Sequence, residues 1–323
     1  MSDDATSRAL AASAPADLSS LRITPLTGSL AAEIEGVDLS RELAPVVAGQ
    51  IRKALAQYSV IVFRDGNGTS DEQQHRLASV FGEPQPLQLF QFLGALQASI
   101  SFDPGSRIAT SKDTTAPRQS AVVRRKDLQN LGLGGEFDGW HSDSTFTPWM
   151  PKAAVLRAEV IPPVGGDTCF SSLSAAYDAL SPMMQTWLAD AKSIHMVPEG
   201  FKDGINIHQY GPDAEARFDA EYPPREWPII IRHAETGRKA LFVVPGYMVH
   251  LVGLKRAESH ALIRFLCHHI ASASFIYRHH WQPGDLVVWD EVMALHRAPD
   301  DFEPHHRRVV RVTAGRQVPV AAS

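Results

Sequence analysis

Short apolar runs punctuated by turn residues predict a mainly β fold, a sandwich or jelly roll with helices flanking it. Two observations carry this. Between residues 153 and 313, the segments 153–160, 167–171, 228–232, 240–244, 285–289 and 307–313 are short and apolar, with Gly, Pro or Asp beside most of them. Helical periodicity is confined to a few stretches before and between those runs.

Taken in order, residues 1–20 are rich in Ala, Ser and Asp without a periodic apolar face, which predicts a mobile arm. Structure is expected from Leu21 onward. Val46, Val47, Ile51, Leu55 and Ala56 recur at helical spacing within 43–58, and 59–64 (Ser-Val-Ile-Val-Phe-Arg) reads as a buried strand. Ser70 with Gln73 forms a capping box that opens a helix ending near Gly82. Residues 84–135 mix Pro, Gly, Ser and Thr with a basic cluster at Arg118, Arg124, Arg125 and Lys126, and read as a long lid-like insertion or a solvated loop. Helical patterns return at 174–192 and 257–270. No internal repeat is evident, so one domain over 21–323 is expected.

Composition narrows the functional classes. The 323 residues hold 31 Lys plus Arg against 36 Asp plus Glu, a net charge of −5, which supplies no basic excess for nucleic acid. At 44% hydrophobic and 21% charged, the chain is that of a globular protein with a sizeable core. Only Cys169 and Cys267 are present, too few for a disulfide framework, and both read as small buried hydrophobes. Neither a signal peptide nor an apolar run of about 18 residues is seen, so a cytoplasmic protein without a membrane partner is expected.

The chemistry gathers around Trp140-His141-Ser142-Asp143. On extended backbone, residues two apart share a face, so His141 and Asp143 can converge while Ser142 turns away. One imidazole and one carboxylate make two-thirds of a 2-His-1-carboxylate metal site, which keeps open positions for substrate and oxygen. Alone, such a tripeptide also fits a surface hydrogen bond. Distance adds specificity: Gly165-Gly166-Asp167-Thr168 places a Thr 25 positions after Asp143, His296 follows at 153, and Arg307 and Arg311 stand 11 and 15 beyond His296. In the terminal strand Arg307, Val309, Arg311 and Thr313 share one face, as they would if that face lined an anion-binding cavity.

This series resembles the iron(II)- and 2-oxoglutarate-dependent dioxygenases of the taurine and phenoxyacetate dioxygenase (TauD/TfdA) family, over roughly residues 21 to 315. The resemblance implies a double-stranded β-helix, a cupin-like jelly roll with helices outside. It implies iron(II) held by His141, Asp143 and His296, and 2-oxoglutarate held at its distal carboxylate by Thr168 and Arg307. With O2, oxidation of a substrate would release succinate and carbon dioxide. Arg311 matches a residue that contacts the substrate's acid group. Taurine-oxidising members carry a His and a Tyr after a Phe-Gly-Glu turn, where this chain has Leu87 and Phe90, and an Asn where it has Phe137. Leu87, Phe90 and Phe137, with Ser144 of the His-Ser-Asp-Ser-Thr-Phe phrase, therefore imply a small organic acid with a hydrophobic or aromatic body. Family members often carry Trp-Asp-Asn before the distal His, whereas here Glu291 follows Trp289-Asp290. The resemblance leaves a homo-oligomer open. The rival readings are a non-catalytic metal-binding jelly roll and a zinc hydrolase, neither of which needs Thr168 and Arg307. The pairs His268-His269, His279-His280 and His305-His306 read as surface or structural, because adjacent residues diverge. The glycines at 132, 134 and 135 lack the strand-to-helix setting of a dinucleotide loop.

Overall fold

The computed structural model describes residues 21–64, 70–85, 87–89, 92, 106–110, 139–197 and 201–322. The expected arm, the basic cluster, the glycines at 132, 134 and 135, Phe90 and Phe137 lie outside the described residues. The strands run β1 (Arg22–Pro25), β2 (Ala32–Glu35), β3 (Val60–Phe63), β4 (Pro84–Gln85), β5 (Ser106–Thr110) and β6 (Ala153–Val160). They continue as β7 (Thr168–Ser172), β8 (Lys192–His195), β9 (Arg225–Pro228), β10 (Ile230–Arg232) and β11 (Lys239–Leu241). The last five are β12 (Met248–Leu251), β13 (Ile276–His279), β14 (Leu286–Asp290), β15 (Ala294–Arg297) and β16 (Arg307–Ala314).

Two sheets make the jelly roll. The larger is ordered β1-β2-β3-β14-β6-β16-β4, with β5 also pairing β16, and the smaller is β13-β7-β15. Alternation decides which side chains meet. Leu286, Val288, Val155, Val312 and Ala314 turn outward onto Ile51, Leu55, Leu77 and Ala78 of the helices Pro45–Tyr58 and Asp71–Ser79. Val287, Trp289, Ala154, Leu156 and Val309 turn inward onto Phe170, Tyr277 and Ala294 of the smaller sheet. Burying each such large side chain stabilises the sandwich by about 1.5–3 kcal/mol relative to exposure. The outer face of the smaller sheet, with Cys169 and Leu295, packs on Leu266, Cys267 and Ile270 of the helix Arg256–Ile270.

Local rules account for the boundaries. Ser70 and Gln73 exchange side-chain and backbone hydrogen bonds at 3.2 and 2.6 Å, completing the expected capping box. The single helix expected over 174–192 is instead two, Leu173–Asp178 and Pro182–Leu188, followed by β8. Pro182 disfavours helical backbone at Ser181, whose side chain caps the second helix. The strand expected over 228–232 is also split: Pro228 ends β9, which pairs β8, and β10 begins a separate hairpin with β11. Within the expected insertion, β4 and β5 both pair with β16.

A fourth apolar cluster gathers around Phe146 and Phe218. Phe146 meets Phe201, Tyr222 and Tyr247 at ring separations of 6.0, 5.4 and 5.3 Å, and Phe92 meets Phe218 and Tyr222 at 5.8 and 5.5 Å. No helix among the described residues is long and apolar enough to cross a membrane.

Gln74 ties helix to sheet. Its buried amide donates to the carbonyls of Val155 and Val310 at 2.9 and 2.8 Å and accepts from Arg157 Nε at 3.1 Å. Gln74→Leu preserves volume but strands these partners, so a loss of about 1–3 kcal/mol is expected. Urea unfolding checks this through a lowered midpoint at unchanged slope.

Candidate metal centre

The site begins with a backbone bridge. His141 N donates to His296 O at 3.0 Å and His296 N donates to His141 O at 2.8 Å, an isolated antiparallel pair between the loop and β15. The two imidazoles consequently lie side by side, their centroids 4.1 Å apart. Gly139, at φ +84°, turns its carbonyl onto His141 Nδ1 at 2.7 Å. A carbonyl only accepts, so Nδ1 carries the proton and Nε2 keeps a free lone pair. Ser142 turns away, as alternation requires, and its hydroxyl donates to Glu291 O at 2.6 Å. Asp143 N donates to Glu291 Oε2 at 2.9 Å. Ligand atoms of His141, Asp143 and His296 all fall within 4.8 Å of one another, with His141 Nε2 3.8 Å from Asp143 Oδ1.

Electrostatics suit a cation here. Burial opposes the Asp143 charge, yet the Arg311 guanidinium beside it, as the largest favourable influence, brings its carboxyl down to about 2, so it stays ionised. Arg311 Nη1 reaches Asp143 Oδ2 at 2.6 Å. Burial pushes His296 well below the ordinary histidine range, leaving a neutral imidazole. Burial, with the neighbouring Asp143 charge, pushes Glu291 well above the usual carboxylate range. Two imidazoles and one carboxylate suit iron(II), and His296 Nδ1, buried without a hydrogen-bond partner, is a polar atom in deficit beside the cluster. The residues present fit the metal.

Thr168 and Arg307 meet each other across the sandwich. Arg307 donates from Nε to Gly166 O at 2.7 Å and from Nη2 to Thr168 Oγ1 at 3.2 Å. Burial draws its guanidinium down to about 10, which still leaves it protonated at neutral pH. The turn before Thr168 is clamped from outside: Asp301 accepts from Gly166 N at 2.8 Å, and Arg278 donates to Asp301 at 2.9 Å and to Asp167 at 2.5 Å. Gly165 and Gly166 have φ of +74° and +71°, and a Cβ on Gly165 would lie 2.3 Å from Asp301 O. Only glycine suits that approach.

A chain with this triad and this fold has close relatives. The family model for the taurine catabolism dioxygenase TauD, TfdA family matches residues 22–313. The chain belongs to this TauD, TfdA family. It is therefore an iron(II)- and 2-oxoglutarate-dependent dioxygenase, an oxidoreductase that uses O2. It is 34% identical to the 2,4-dichlorophenoxyacetate dioxygenase of Cupriavidus pinatubonensis over 84% of this chain and 90% of that one. Against the sulfate ester dioxygenase of Pseudomonas putida it is 28% identical over 97% and 95%. The crystal structure of a taurine dioxygenase from Burkholderia xenovorans superposes with TM-score 0.70 at 28% identity, covering 93% of this chain and 91% of that one. The structure of AAD-2 with Mn(II) and N-oxalylglycine gives 0.69 at 25% identity, covering 93% and 99%.

Placement of the remaining candidates in the dioxygenase is mixed. Leu87 is buried. Ser144 is buried at φ 63°, and its carbonyl accepts from Thr147 N at 3.0 Å and Thr147 Oγ1 at 2.8 Å. The phenol of half-buried Tyr247 is pushed up by burial and by the Asp143 charge, and a Cβ on neighbouring Gly246 would lie 3.4 Å from His141 Cβ. His195 Nδ1 pairs with Thr145 Oγ1 at 3.0 Å, and Trp227 Nε1 donates to Thr145 O at 2.7 Å, so both anchor the ligand loop from behind. Sequence reading missed Tyr247, His195 and Trp227, since each lies at least 50 positions from its partner without a local motif.

His141→Ala, Asp143→Ala and His296→Ala should each abolish iron(II) binding and succinate formation while leaving far-ultraviolet circular dichroism unchanged. Anaerobic calorimetry checks the first effect directly. A second expectation concerns acid. Burial holds His195 at about 3 against 6.5 for the free side chain. The unfolded chain therefore binds the proton first, and stability is full above pH 6.5 and declines as pH falls toward 3. From this group the loss approaches about 1.4 kcal/mol per pH unit. In His195→Gln, urea unfolding at pH 7 and 5.5 should differ by correspondingly less.

Proposed function

We propose that this dioxygenase oxidises a small organic acid with a hydrophobic or aromatic body, by hydroxylation that leads to cleavage when the attacked carbon bears a heteroatom. The observation that carries this is Arg311. Its Nη1 is engaged by Asp143, yet its Nε is buried beside the ligand cluster without any hydrogen-bond partner. A buried guanidinium donor in deficit is completed by an anionic acceptor. The 2,4-dichlorophenoxyacetate, (S)-phenoxypropionate and sulfate ester dioxygenases among its relatives are named for substrates that join an anion to an organic body. Phe146, three positions after Asp143, and Tyr247 supply the aromatic surface, and the family resemblance adds the apolar side chains of Leu87, Phe90 and Phe137. With Leu87, Phe90 and Phe137 standing where taurine-oxidising members carry polar residues, an amine loses those partners, so taurine is a poor fit.

His141, Asp143 and His296 would hold iron(II), which when bound supplies oxygen activation coupled to decarboxylation of 2-oxoglutarate. The chain's own part is positional. Thr168 and Arg307 bind the distal carboxylate of 2-oxoglutarate, and Arg311 anchors the substrate acid while keeping Asp143 ionised. Glu291 fixes the Asp143 backbone, and the buried aromatic cluster around Phe146 keeps its side of the ligand loop dry. No protein nucleophile is used.

A panel of aryloxyalkanoates, alkyl sulfates, sulfonates and the methyl esters of the acids tests this, with succinate release as readout. Acids should be preferred over their esters by roughly 10- to 100-fold in KM, from about 1.5–3 kcal/mol for a hydrogen bond to a charged group. In Arg311→Gln, which can still donate to Asp143, that preference should collapse while uncoupled 2-oxoglutarate decay persists. Esters turned over as well as acids by the wild type would remove Arg311 as the anchor.

A further inference from the structure

Trp281 lies 15 positions before His296 in no motif, yet it reaches the candidate cosubstrate pocket. The side chain is buried, and its indole Nε1 donates to Thr168 Oγ1 at 3.0 Å. Arg307 Nη2 donates to the same oxygen at 3.2 Å. Indole and guanidinium N–H groups have no acceptor capacity, so both bonds run toward the threonine. A hydroxyl oxygen has two lone pairs, and both are taken. The one hydrogen of Thr168 is left to donate elsewhere.

The surroundings hold this arrangement. Thr168 pairs across strands with His279, whose ring meets Trp281 edge to face at 4.5 Å and 88°. Tyr277 OH lies 2.9 Å from His279 Nδ1, which fixes the imidazole against the indole, and the Asp285 carboxylate lies 3.1 Å from Nε2. Arg307 is fixed in turn by Gly166 O.

We propose that Trp281 is a positioning residue for 2-oxoglutarate: by filling one lone pair of Thr168, it fixes that hydroxyl as a donor toward the distal carboxylate. This rests on the reading that Thr168 and Arg307 bind that carboxylate. An ionised carboxylate only accepts, so a hydroxyl locked as donor is matched to it before binding. Without the indole, the hydroxyl can rotate onto other acceptors, and cosubstrate binding must reorient it.

Trp281→Phe should raise KM for 2-oxoglutarate about three- to tenfold, the range for one neutral hydrogen bond, with kcat and the KM of the primary substrate unchanged. Calorimetric titration of 2-oxoglutarate into the iron(II)-loaded protein under argon should show the same loss. Benzothienylalanine at position 281, which keeps the bicyclic shape without the N–H, should reproduce it in a fully packed core. In a Thr168→Val background, either replacement should change affinity less than about twofold, because the acceptor is already gone. An equal loss in both backgrounds, or wild-type affinity with benzothienylalanine, would overturn the role of Trp281. Unchanged 2-oxoglutarate affinity in Thr168→Val and Arg307→Ala alone would overturn the cosubstrate reading itself, and the proposal with it.

Discussion

Two reciprocal main-chain hydrogen bonds between His141 and His296 are the constraint on which the site depends. They fasten a loop to the edge of the smaller sheet and set two imidazoles 4.1 Å apart before any metal is considered. Everything else at the centre is arranged around that bridge. Gly139 fixes the ring nitrogen that carries the proton, Ser142 and Asp143 are tied to Glu291, and Thr145 is anchored by His195 and Trp227. A ligand set held by backbone geometry loses little conformational freedom on binding metal, which is the physical value of a preformed site.

The charge balance follows the same economy. A buried carboxylate is costly unless paired, and Asp143 is met by Arg311 on one oxygen and by two imidazoles nearby. Glu291 does not add a second full negative charge, since burial and Asp143 favour its protonated form. A protonated carboxylic acid offers a carbonyl and a hydroxyl, much as an amide offers a carbonyl and an amino group. In that protonated form Glu291 keeps an oxygen that accepts from Asp143 N. Protonation also explains how Asp143 N can donate to a carboxyl group adjoining an ionised ligand.

The Thr168–Arg307 pair and the His-Asp-His triad are linked through one strand of the sandwich. Arg307, Val309, Arg311 and Thr313 project from one face of β16, so one strand supplies both guanidinium groups. Alternation sends their neighbours Val310 and Val312 away from that face, Val312 into the helix-covered core, so the strand is anchored by its apolar side while its polar side faces the site.

Much of this was legible in the sequence because strand chemistry is local. The two-residue period placed His141 with Asp143 and Arg307 with Arg311, and the capping box at Ser70 announced its helix. Turn chemistry was less complete: Pro182 and Pro228 each divided an element that periodicity alone made continuous. The family resemblance supplied the distant partners Thr168 and His296, which no local pattern joins to His141. What only the tertiary structure decided is which groups face one another across many tens of residues. Arg311 on Asp143, Trp281 on Thr168, and His195 and Trp227 on the ligand loop are pairings between elements, set by sheet order and packing. A sequence fixes the face a side chain takes on its own strand, whereas its partner depends on which strand lies opposite.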